Sequence, residues 1–448
     1  MRFDDIISID RPSEMLPGVP PARRTRILYV DHTAKMSGGE IALLNLMVHL
    51  DLQHFDPLVV LSEDGPMREK LEEAGIETHI LPIAASVLET RKDSLSAGTL
   101  LRLRDLLLTA RYIWTLADFM RRHHIDLVHT NSLKADILGG FAARLAHIPL
   151  LWHVRDRIDE DYLPRPVVWL FRRLCFWLPN YVIANSQSTL ETLQIKKADR
   201  TAAVYSGVEI STHILVVHDG VPRAPLAVSV VYTGPYSAGL HSLLTPPEQR
   251  TPVIGLVGRI SLWKGQHIFL RAAALVRERF PEARFQIIGS AMFQEDDYEQ
   301  EIHALTVSLE LTQNVEFLGF RSDVPKVIAD LTVLVHASIT AEPFGQVIVE
   351  GMVAEKPVIA TRGGGATEIV IDGDTGLLVP MGDVSAMAEA ILFLLDNPEA
   401  AREMGRRGRR RANEYFSIER TARKIESVYD EILQKHSGAT LDSTGISG

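Results

Sequence analysis

Two glutamates flank a short turn in the stretch AEPFGQVIVEG, residues 341–351, and their placement points to a ligand site. Pro343 and Gly345 would break the chain just before a helix, whose first backbone N–H groups lack partners and favour an anion. Glu342 would lie at the mouth of that anion site, and Glu350 would follow along the helix. The stretch therefore predicts a ligand with a phosphate and several hydroxyl groups.

A second loop, GLVGRISLWKGQ at 255–266, carries two cations, Arg259 and Lys264, just after a predicted strand. Arginine offers a planar bidentate fork and lysine a mobile point charge, a combination that suits a diphosphate. A solvated surface loop is the alternative interpretation. The position beside a glycine at the carboxyl end of a strand favours a ligand-binding role.

Together the two stretches predict one composite site. The helix start at Gly345 and Gln346 and the two cations would hold a diphosphate. Because a carboxylate can accept hydrogen bonds from both hydroxyls of a vicinal diol, Glu350 would bind ribose. Glu342 would bind the hydroxyls of the group that the diphosphate carries.

A glycine pair follows the first predicted strand, in HTAKMSGGE at 32–40. Gly38 and Gly39 precede a predicted helix, an arrangement that can cradle a phosphate or a sugar close to it. An ordinary tight turn between a strand and a helix is the alternative for this pair, and both interpretations stay open at this point.

Length and composition restrict the class of protein. A chain of 448 residues predicts two domains of about 200 residues each, and 46% hydrophobic with 23% charged residues is typical of globular proteins. The net charge of −10 argues against a nucleic-acid partner, which requires a basic surface. The single cysteine, Cys175, excludes an internal disulfide framework and fits a reducing compartment.

The N-terminal stretch MRFDDIISIDRPSEMLPGVPPARR lacks the apolar run of a signal peptide. No uninterrupted apolar run reaches the roughly 18 residues that span a bilayer. We therefore expect a cytoplasmic protein.

Apolar strand candidates alternate with helical patterns in two series, which predicts parallel α/β sheets. The first series is 26–33, 57–62, 77–82, 125–130, 149–154 and 181–186, and the second is 252–258, 285–290, 315–320, 331–338, 356–363 and 375–380. Two tandem Rossmann-like doubly wound domains of this kind bind ligands at the carboxyl ends of their strands, here in the cleft between the domains.

The predicted domain boundaries follow from these two series. A disordered tail over 1–24 precedes an N-terminal domain at 25–250, whose segment 206–250 is expected to be an irregular linker. The C-terminal domain spans 251–415. A C-terminal helix at 416–435 is expected to pack back on the N-terminal domain, ahead of a disordered tail at 436–448.

The order SGGE, GRISLWKGQ, EPFGQVIVEGM, KPVIATRGGGATEIV resembles the retaining glycosyltransferases of the group 1 family (family 4, GT-B fold). The resemblance covers most of residues 26–435 and is more specific in the second domain. It implies transfer of a sugar from a UDP- or GDP-linked donor to a hydroxyl acceptor, with retained anomeric configuration and no cofactor. Surface polysaccharide, lipopolysaccharide or glycolipid synthesis is the implied role.

The resemblance also implies individual roles. Glu342 and Glu350 match the family's pair of glutamates and would contact the donor sugar and the ribose. The implied donor-binding groups are Gly38, Gly39, Arg259, Lys264, Glu350 and the amides of Phe344, Gly345 and Gln346. His153, in LLWHVRD, resembles the family's active-site histidine, which together with Glu342 is the implied catalytic pair. His129, on the neighbouring strand, is expected to pack beside the site rather than contact the substrate.

Two acidic stretches could hold a divalent cation, as acidic pairs do in many sugar transferases. Neither Asp159-Glu160-Asp161 nor Asp372-Gly373-Asp374 ends an apolar strand, and turn formation explains both better. We therefore predict that no metal is required.

Basic amphipathic stretches raise the question of membrane contact. Residues 102–157 hold nine Arg or Lys against five Asp or Glu, and 165–179, RPVVWLFRRLCFWLP, is similar. Such helices can lie on anionic lipid, which predicts a peripheral position on the inner face of the membrane. The alternative is that the apolar stripes pack on the sheet.

Other functions are compatible with two domains of this kind. An isomerase such as a nucleotide-sugar 2-epimerase could use the same scaffold, although the glutamate pair belongs to the transferase pattern. A phosphorylase lacks a convincing lysine for pyridoxal phosphate, and an exported binding protein would need a signal. A transferase that binds donor without turnover is the last alternative.

The family's Asn-Gly-Val turn is replaced by SGV or DGV at 206–208 or 219–221, which leaves the linker boundary open.

Overall fold

The structure is a computed structural model. It describes residues 23–83, 103–195, 198–210, 213–217, 229–233, 251–292 and 295–444. The N-terminal tail predicted as disordered lies, up to residue 22, outside the described residues, as do residues 445–448.

Seven parallel strands form the sheet of the first domain. They are β1 (Thr25–Asp31), β2 (Phe55–Leu61), β3 (Glu77–Ile80), β4 (Leu127–Thr130), β5 (Leu150–Val154), β6 (Tyr181–Ala184) and β7 (Thr201–Ala203), in the order β3-β2-β1-β4-β5-β6-β7. The helices are α1 (Gly38–Val48), α2 (Pro66–Glu73), α3 (Leu103–Arg122), α4 (Leu133–Ala146), α5 (Arg165–Trp177) and α6 (Gln187–Thr192).

Six parallel strands form the sheet of the second domain. After β8 (His213–Val217) and β9 (Ser229–Thr233), they are β10 (Val253–Val257), β11 (Arg284–Ile288), β12 (Val315–Gly319), β13 (Val333–His336), β14 (Val358–Thr361) and β15 (Leu377–Val379). Their order is β12-β11-β10-β13-β14-β15. The helices of this half are α7 (Gln266–Arg277), α8 (Asp296–Ser308), α9 (Val324–Asp330), α10 (Gln346–Val353), α11 (Ala366–Ile369), α12 (Val384–Asp396), α13 (Pro398–Tyr415) and α14 (Ile418–Thr444).

These sheets confirm the predicted fold class of two Rossmann-like doubly wound domains. The central strands are buried on both faces, and the first sheet separates two apolar cores. Helices α3, α4 and α5 cover one face, while α1, α2 and α14 cover the other. The carboxyl ends of parallel strands meet at one edge of each sheet, which is where ligands bind in this architecture.

Two predictions about irregular segments are wrong. Segment 206–250 contains the antiparallel pair β8–β9, with His213 opposite Thr233, because two β-branched runs pair although Gly, Pro and Ser surround them. The last helix does not end at residue 435, since α14 continues to Thr444 with no proline to interrupt it.

The last helix packs on the first domain. Buried residues of α14, including Ala422, Ile425 and Tyr429, belong to the same core as β1. The crossing is tight where α14 begins, because a Cβ on Gly207 would lie 2.4 Å from the Ile418 Cα. The backbone of Val208 bonds both Phe416 and Ile418, which fixes this junction.

Candidate active site between the two domains

The turn before α10 takes its shape from Gly345. This residue has a φ of 103°, a conformation that only glycine adopts easily, and it caps α10, which begins at Gln346. A Cβ at this position would meet the Ile348 side chain at 2.8 Å. The first N–H groups of α10 therefore form a helix N-terminus that favours an anion.

The ring of Phe344 is buried. It stacks with Tyr205 at a centroid separation of 5.9 Å and meets Phe416 edge-on at 6.0 Å. These partners lie in the segments that cross between the domains. The contact of the Phe344 backbone amide with the donor stays a prediction, and the buried ring anchors that part of the turn.

Glu342 is buried in a network of polar contacts. Lys264 Nζ donates to its two carboxylate oxygens at 2.8 and 2.9 Å, and Ser338 Oγ donates to Oε2 at 2.9 Å. His336 Nε2 lies 3.2 Å from the same oxygen. Burial acts to raise the pKa of Glu342, but Lys264 and His336 outweigh it and hold that pKa well below the usual range. The carboxylate is therefore ionised and fixed in place.

The loop that carries the two predicted cations is shaped by Gly265. Its φ is 73°, and a Cβ there would lie 2.0 Å from the Ala337 carbonyl oxygen. Trp263 lies close to both cations, with Lys264 Nζ 4.3 Å and the Arg259 guanidinium carbon 5.9 Å from its ring centroid. The structure thus groups both cations, but Lys264 is already paired with Glu342.

Glu350 lies one turn along α10 and is half-buried. Burial raises its pKa to about 7, although Gln346 Nε2 donates to the carboxylate at 3.3 Å and acts in the opposite direction. The side chain therefore changes charge near neutral pH, and it becomes a strong hydrogen-bond acceptor only above that pH.

The glycine-rich loop after β14 braces Glu342 from behind. Gly364 has a φ of 59°, and a Cβ there would lie 2.0 Å from the Glu342 carbonyl oxygen. The N–H of Gly365 donates to that oxygen at 2.9 Å. This support was not predicted, nor were the contacts of His336 and Ser338. His336 and Ser338 are polar residues at the end of the apolar strand β13, and this pattern in the sequence could have indicated their contact with the site.

In the first domain, His153 lies near the end of β5 and is only 1% exposed. Its Nδ1 lies 3.1 Å from His129 Nε2 and 3.3 Å from an Arg155 terminal nitrogen. Burial, with Arg155 and His129 adding to it, lowers the pKa of His153 well below its usual value. The ring is therefore neutral, and its Nε2 is buried without a hydrogen-bond partner among the described residues.

The glycine pair at the start of α1 lies against Arg155. A Cβ on Gly39 would be 3.4 Å from the Arg155 Cδ, whereas Gly38 has open space around it. Arg155 donates to Asn131 at 2.6 Å and to Ser206 at 3.0 Å, and burial lowers its pKa to about 10. Arg155 followed His153 in the sequence without a predicted role, and the structure gives it a central position.

Direct hydrogen bonds, here called the interdomain clasp, join the two domains at this edge. Ser186 Oγ and Thr189 Oγ1 donate to the Pro343 carbonyl at 2.5 and 3.0 Å. The Glu368 carboxylate accepts from the backbone N–H groups of residues 187–188 at 2.8 and 2.7 Å. Because β6 leads into α6 beside β5, the clasp brings the turn at Pro343 to the same edge as His153.

Arginines form ion pairs with three aspartates of the two acidic stretches: Arg157 pairs with Asp159, Arg362 with Asp372 and Arg407 with Asp374. One trio in the described part of the chain, Glu77, His79 and His123, has ligand atoms close enough for a metal. It lies at the amino end of β3, away from the cleft. Metal independence stays a prediction.

Comparison with known proteins gives the family. A model described as Glycosyltransferase Family 4 matches residues 36–212, and one described as Glycosyl transferases group 1 matches residues 245–411. D-inositol 3-phosphate glycosyltransferase of Corynebacterium diphtheriae is 34% identical over 340 residues, covering 66% of this chain and 75% of that protein. The matches to three other bacterial relatives span between 44% and 59% of their lengths.

Full-length similarity extends to an enzyme and to a crystal structure. The Escherichia coli UDP-Gal:alpha-D-GlcNAc-diphosphoundecaprenol alpha-1,3-galactosyltransferase is 22% identical over 92% of this chain and 98% of that protein. Anabaena HepE in complex with UDP and glucose superposes with a TM-score of 0.74 and 26% identity, covering 91% of this chain and all of HepE. The chain belongs to the group 1 glycosyltransferase family and has its GT-B fold.

Proposed function

We propose that the protein is a retaining glycosyltransferase that moves a sugar from a nucleotide-diphosphate donor to a hydroxyl group of an acceptor. The observation that carries the proposal is the N-terminus of α10, which lies between the fixed carboxylate of Glu342 and the titrating carboxylate of Glu350. An anion site flanked by two acceptors of hydroxyl groups matches a diphosphate with ribose on one side and a sugar on the other.

Uridine diphosphate is the nucleotide that we propose for the donor. HepE, which is 26% identical over most of this chain, was crystallised with UDP and with UDP-glucose. The E. coli relative is a UDP-galactose enzyme by its description. Both similarities support a UDP-sugar over a GDP-sugar.

In the proposed reaction, the bond between the sugar and the diphosphate breaks and leaves positive charge on the sugar. The helix N-terminus and Arg259 stabilise the departing diphosphate, a contribution that is usually large in enzymes. Glu342 is ion-paired with Lys264 and held by Ser338, so its carboxylate is a weak nucleophile. Attack by the acceptor on the face that the diphosphate leaves then retains the configuration, and a departing phosphate oxygen takes the acceptor proton.

For the acceptor we propose a lipid-linked sugar of a surface polysaccharide. The E. coli relative acts on a sugar linked to diphosphoundecaprenol, and a Staphylococcus aureus relative is described as a capsular polysaccharide biosynthesis glycosyltransferase. Such an acceptor lies at a membrane. No helix in the described part of this chain is both long and apolar enough to cross one.

An unusual exposed surface supports contact with that membrane. Nine large apolar side chains on three neighbouring helices are between 41% and 69% exposed. This apolar face consists of Leu106, Leu107, Trp114, Phe141, Leu145, Trp169, Leu170, Phe176 and Trp177. Exposed arginines on α3 and α5, such as Arg104, Arg111 and Arg173, lie among them although the whole chain is acidic. Aromatic residues with interspersed cations fit the surface of an anionic bilayer, on the inner face of the cell membrane.

Vesicle sedimentation tests the membrane contact. The protein should pellet with phosphatidylglycerol vesicles, and less with phosphatidylcholine vesicles or in high salt. Replacing Trp114 and Trp169 together by serine should weaken vesicle binding about tenfold. Both indole rings are exposed in the protein without lipid, so the substitution removes apolar surface that would bury itself in the bilayer. Phe393→Ser, which alters an exposed residue of α12, is the matched control. Equal binding of vesicles by the double variant and by the control would exclude this apolar face as the membrane-binding surface.

Turnover of UDP-sugars tests the transferase proposal. Wild-type protein should bind UDP-sugars and transfer the sugar to polyprenol-linked acceptors. NMR of the product should show that the anomeric configuration of the sugar is retained. Arg259→Ala should weaken binding, whereas Arg279→Ala, two residues beyond the C-terminal end of α7, should not. Conversion of the donor sugar to its epimer without acceptor would favour the isomerase alternative, and binding without any turnover would favour a nucleotide-sugar-binding protein.

A further inference from the structure

We propose that Tyr429 and His129 are positioning residues that hold His153 with its Nε2 hydrogen directed toward the donor sugar. The inference rests on the proposed function, since it assigns His153 a contact in that reaction. It depends on a hydrogen-bonded chain through the core of the first domain, here called the tyrosine–histidine relay, which consists of Tyr29, Tyr429, His129 and His153.

Three short contacts connect the relay. The hydroxyl groups of Tyr29 and Tyr429 are 2.7 Å apart, and the Tyr429 hydroxyl lies 2.6 Å from His129 Nδ1. His129 Nε2 lies 3.1 Å from His153 Nδ1. The chain is shielded from solvent, because Tyr29, His129 and Tyr429 are fully buried and His153 is nearly so. Water therefore does not compete for these hydrogen bonds.

Arg155 determines the direction of every hydrogen bond in the relay. A guanidinium group only donates, so its contact with His153 Nδ1 at 3.3 Å makes that nitrogen an acceptor. The neutral His153 must then carry its hydrogen on Nε2. His129 Nε2 faces the same acceptor and must donate, which leaves His129 Nδ1 to accept from the Tyr429 hydroxyl. The Tyr429 hydroxyl in turn accepts from Tyr29.

The outcome is a buried donor without a partner. His153 Nε2 has no hydrogen-bond partner among the described residues, and leaving a buried N–H unsatisfied is costly. His153 is the last residue but one of β5 and lies beside the interdomain clasp, where Pro343 of the second domain accepts its hydrogen bonds. A hydroxyl or ring oxygen of the donor sugar in the cleft would satisfy this N–H.

The relay also assigns a function to the last helix. Tyr429 lies on α14, which follows both domains in the chain and packs on the first. Its hydroxyl is the only group of the relay that comes from outside the first sheet. Removal of this hydroxyl would leave His129 Nδ1 without its donor, and the ring could then turn or exchange its hydrogen between nitrogens.

Tyr429→Phe removes that hydroxyl alone and tests the proposal. We expect kcat with a UDP-sugar to fall about three- to tenfold, the effect of one neutral hydrogen bond, while the affinity for UDP without sugar stays unchanged. In ¹⁵N NMR spectra, His153 of the wild type should show hydrogen on Nε2 only, and the histidine signals should change in the variant. Tyr112→Phe, a buried tyrosine on the opposite face of the sheet, is the control.

The outcomes separate this proposal from the proposed function. Wild-type protein without turnover of any nucleotide sugar would overturn the proposed function, and with it the catalytic part of the relay. Wild-type turnover with an unchanged kcat in Tyr429→Phe, or hydrogen on His153 Nδ1, would overturn the relay alone. Equal losses of UDP affinity and of kcat would mean a general structural role and would also contradict it. If Tyr429→Phe folds poorly, the wild-type ¹⁵N spectrum still decides the tautomer.

Discussion

Glu350→Gln should make the protein more stable and its donor binding weaker. The negative charge of the buried Glu350 carboxylate destabilises the folded state but is needed to accept hydrogen bonds from the donor. Burial raises the pKa of Glu350 from 4.5 to about 7. A shift of that size corresponds to roughly 3 kcal/mol between the charged and the neutral form. Because the folded state holds this proton more tightly than the unfolded state, the free energy of unfolding falls as pH rises from 4.5 toward 7.

Glutamine has nearly the same shape as glutamate and cannot ionise, so the variant does not lose unfolding free energy as the pH rises. The gain in unfolding free energy from Glu350→Gln should be about 2 kcal/mol larger at pH 8 than at pH 5. Urea unfolding at the two pH values measures it. Glu414→Gln, at an exposed position on α13, controls for the loss of one negative charge.

Donor binding should respond to pH in the opposite sense. In the proposed contact, ribose hydroxyls donate to the ionised carboxylate, so the wild type would have to lose its Glu350 proton before it binds. Between pH 8 and pH 6 the ionised fraction falls about tenfold, and the affinity for UDP-glucose should fall by the same factor. UDP-glucose is the suitable probe for calorimetry, because the terminal phosphate of free UDP itself titrates near pH 6.

Glu350→Gln should bind UDP-glucose more weakly at pH 8 than the wild type, and its affinity should be nearly independent of pH. A variant that is less stable than the wild type at pH 8 would refute the assigned cost of the buried charge. A variant that keeps the wild-type pH dependence of binding would refute the contact between Glu350 and the ribose.

Three further substitutions test the geometry of the cleft. Gly345→Ala should cost about 1–2 kcal/mol in urea unfolding and weaken UDP binding, because alanine disfavours the positive φ; unchanged UDP affinity would contradict a contact at this helix start. Glu368→Ala removes a carboxylate from two backbone N–H groups and should shift the cleft toward open states by about 1–3 kcal/mol. X-ray scattering should then show a larger radius of gyration, and an unchanged radius would mean that other contacts hold the domains together. Gly207→Ala should cost about 1–3 kcal/mol by overpacking against Ile418; a wild-type melting temperature would show that the junction can relax.

The central strands of both sheets were predictable because they are buried on both faces. Such strands appear in a sequence as continuous apolar runs, and every predicted run coincides with a strand. The strand β7 was missed, since its three residues, Thr201–Ala203, are too few to form a pattern. The pair β8–β9 was missed because the surrounding glycines and prolines dominated the interpretation of that segment.

The candidate site was predictable only where its residues are close in the sequence. Residues 341–351 contain both carboxylates and the glycine that starts α10, so their grouping followed from local rules. The pairing of Lys264 with Glu342 joins residues 78 positions apart, and the contact of His129 with Tyr429 joins residues 300 positions apart. Contacts of that range depend on how strands and helices assemble, which no local pattern encodes.

The helix that carries Tyr429, α14, is the last one in the chain, and this position has a consequence for how the protein is synthesised. The face of the first sheet that α14 covers is complete in the chain at β7, but its covering helix begins roughly 200 residues later. At about 5–20 residues per second, a ribosome needs on the order of 10–40 s to supply it. During that time an apolar surface stays open to chaperones and to other nascent chains. Expression of the first domain alone would therefore require α14 as a fused or separately supplied segment.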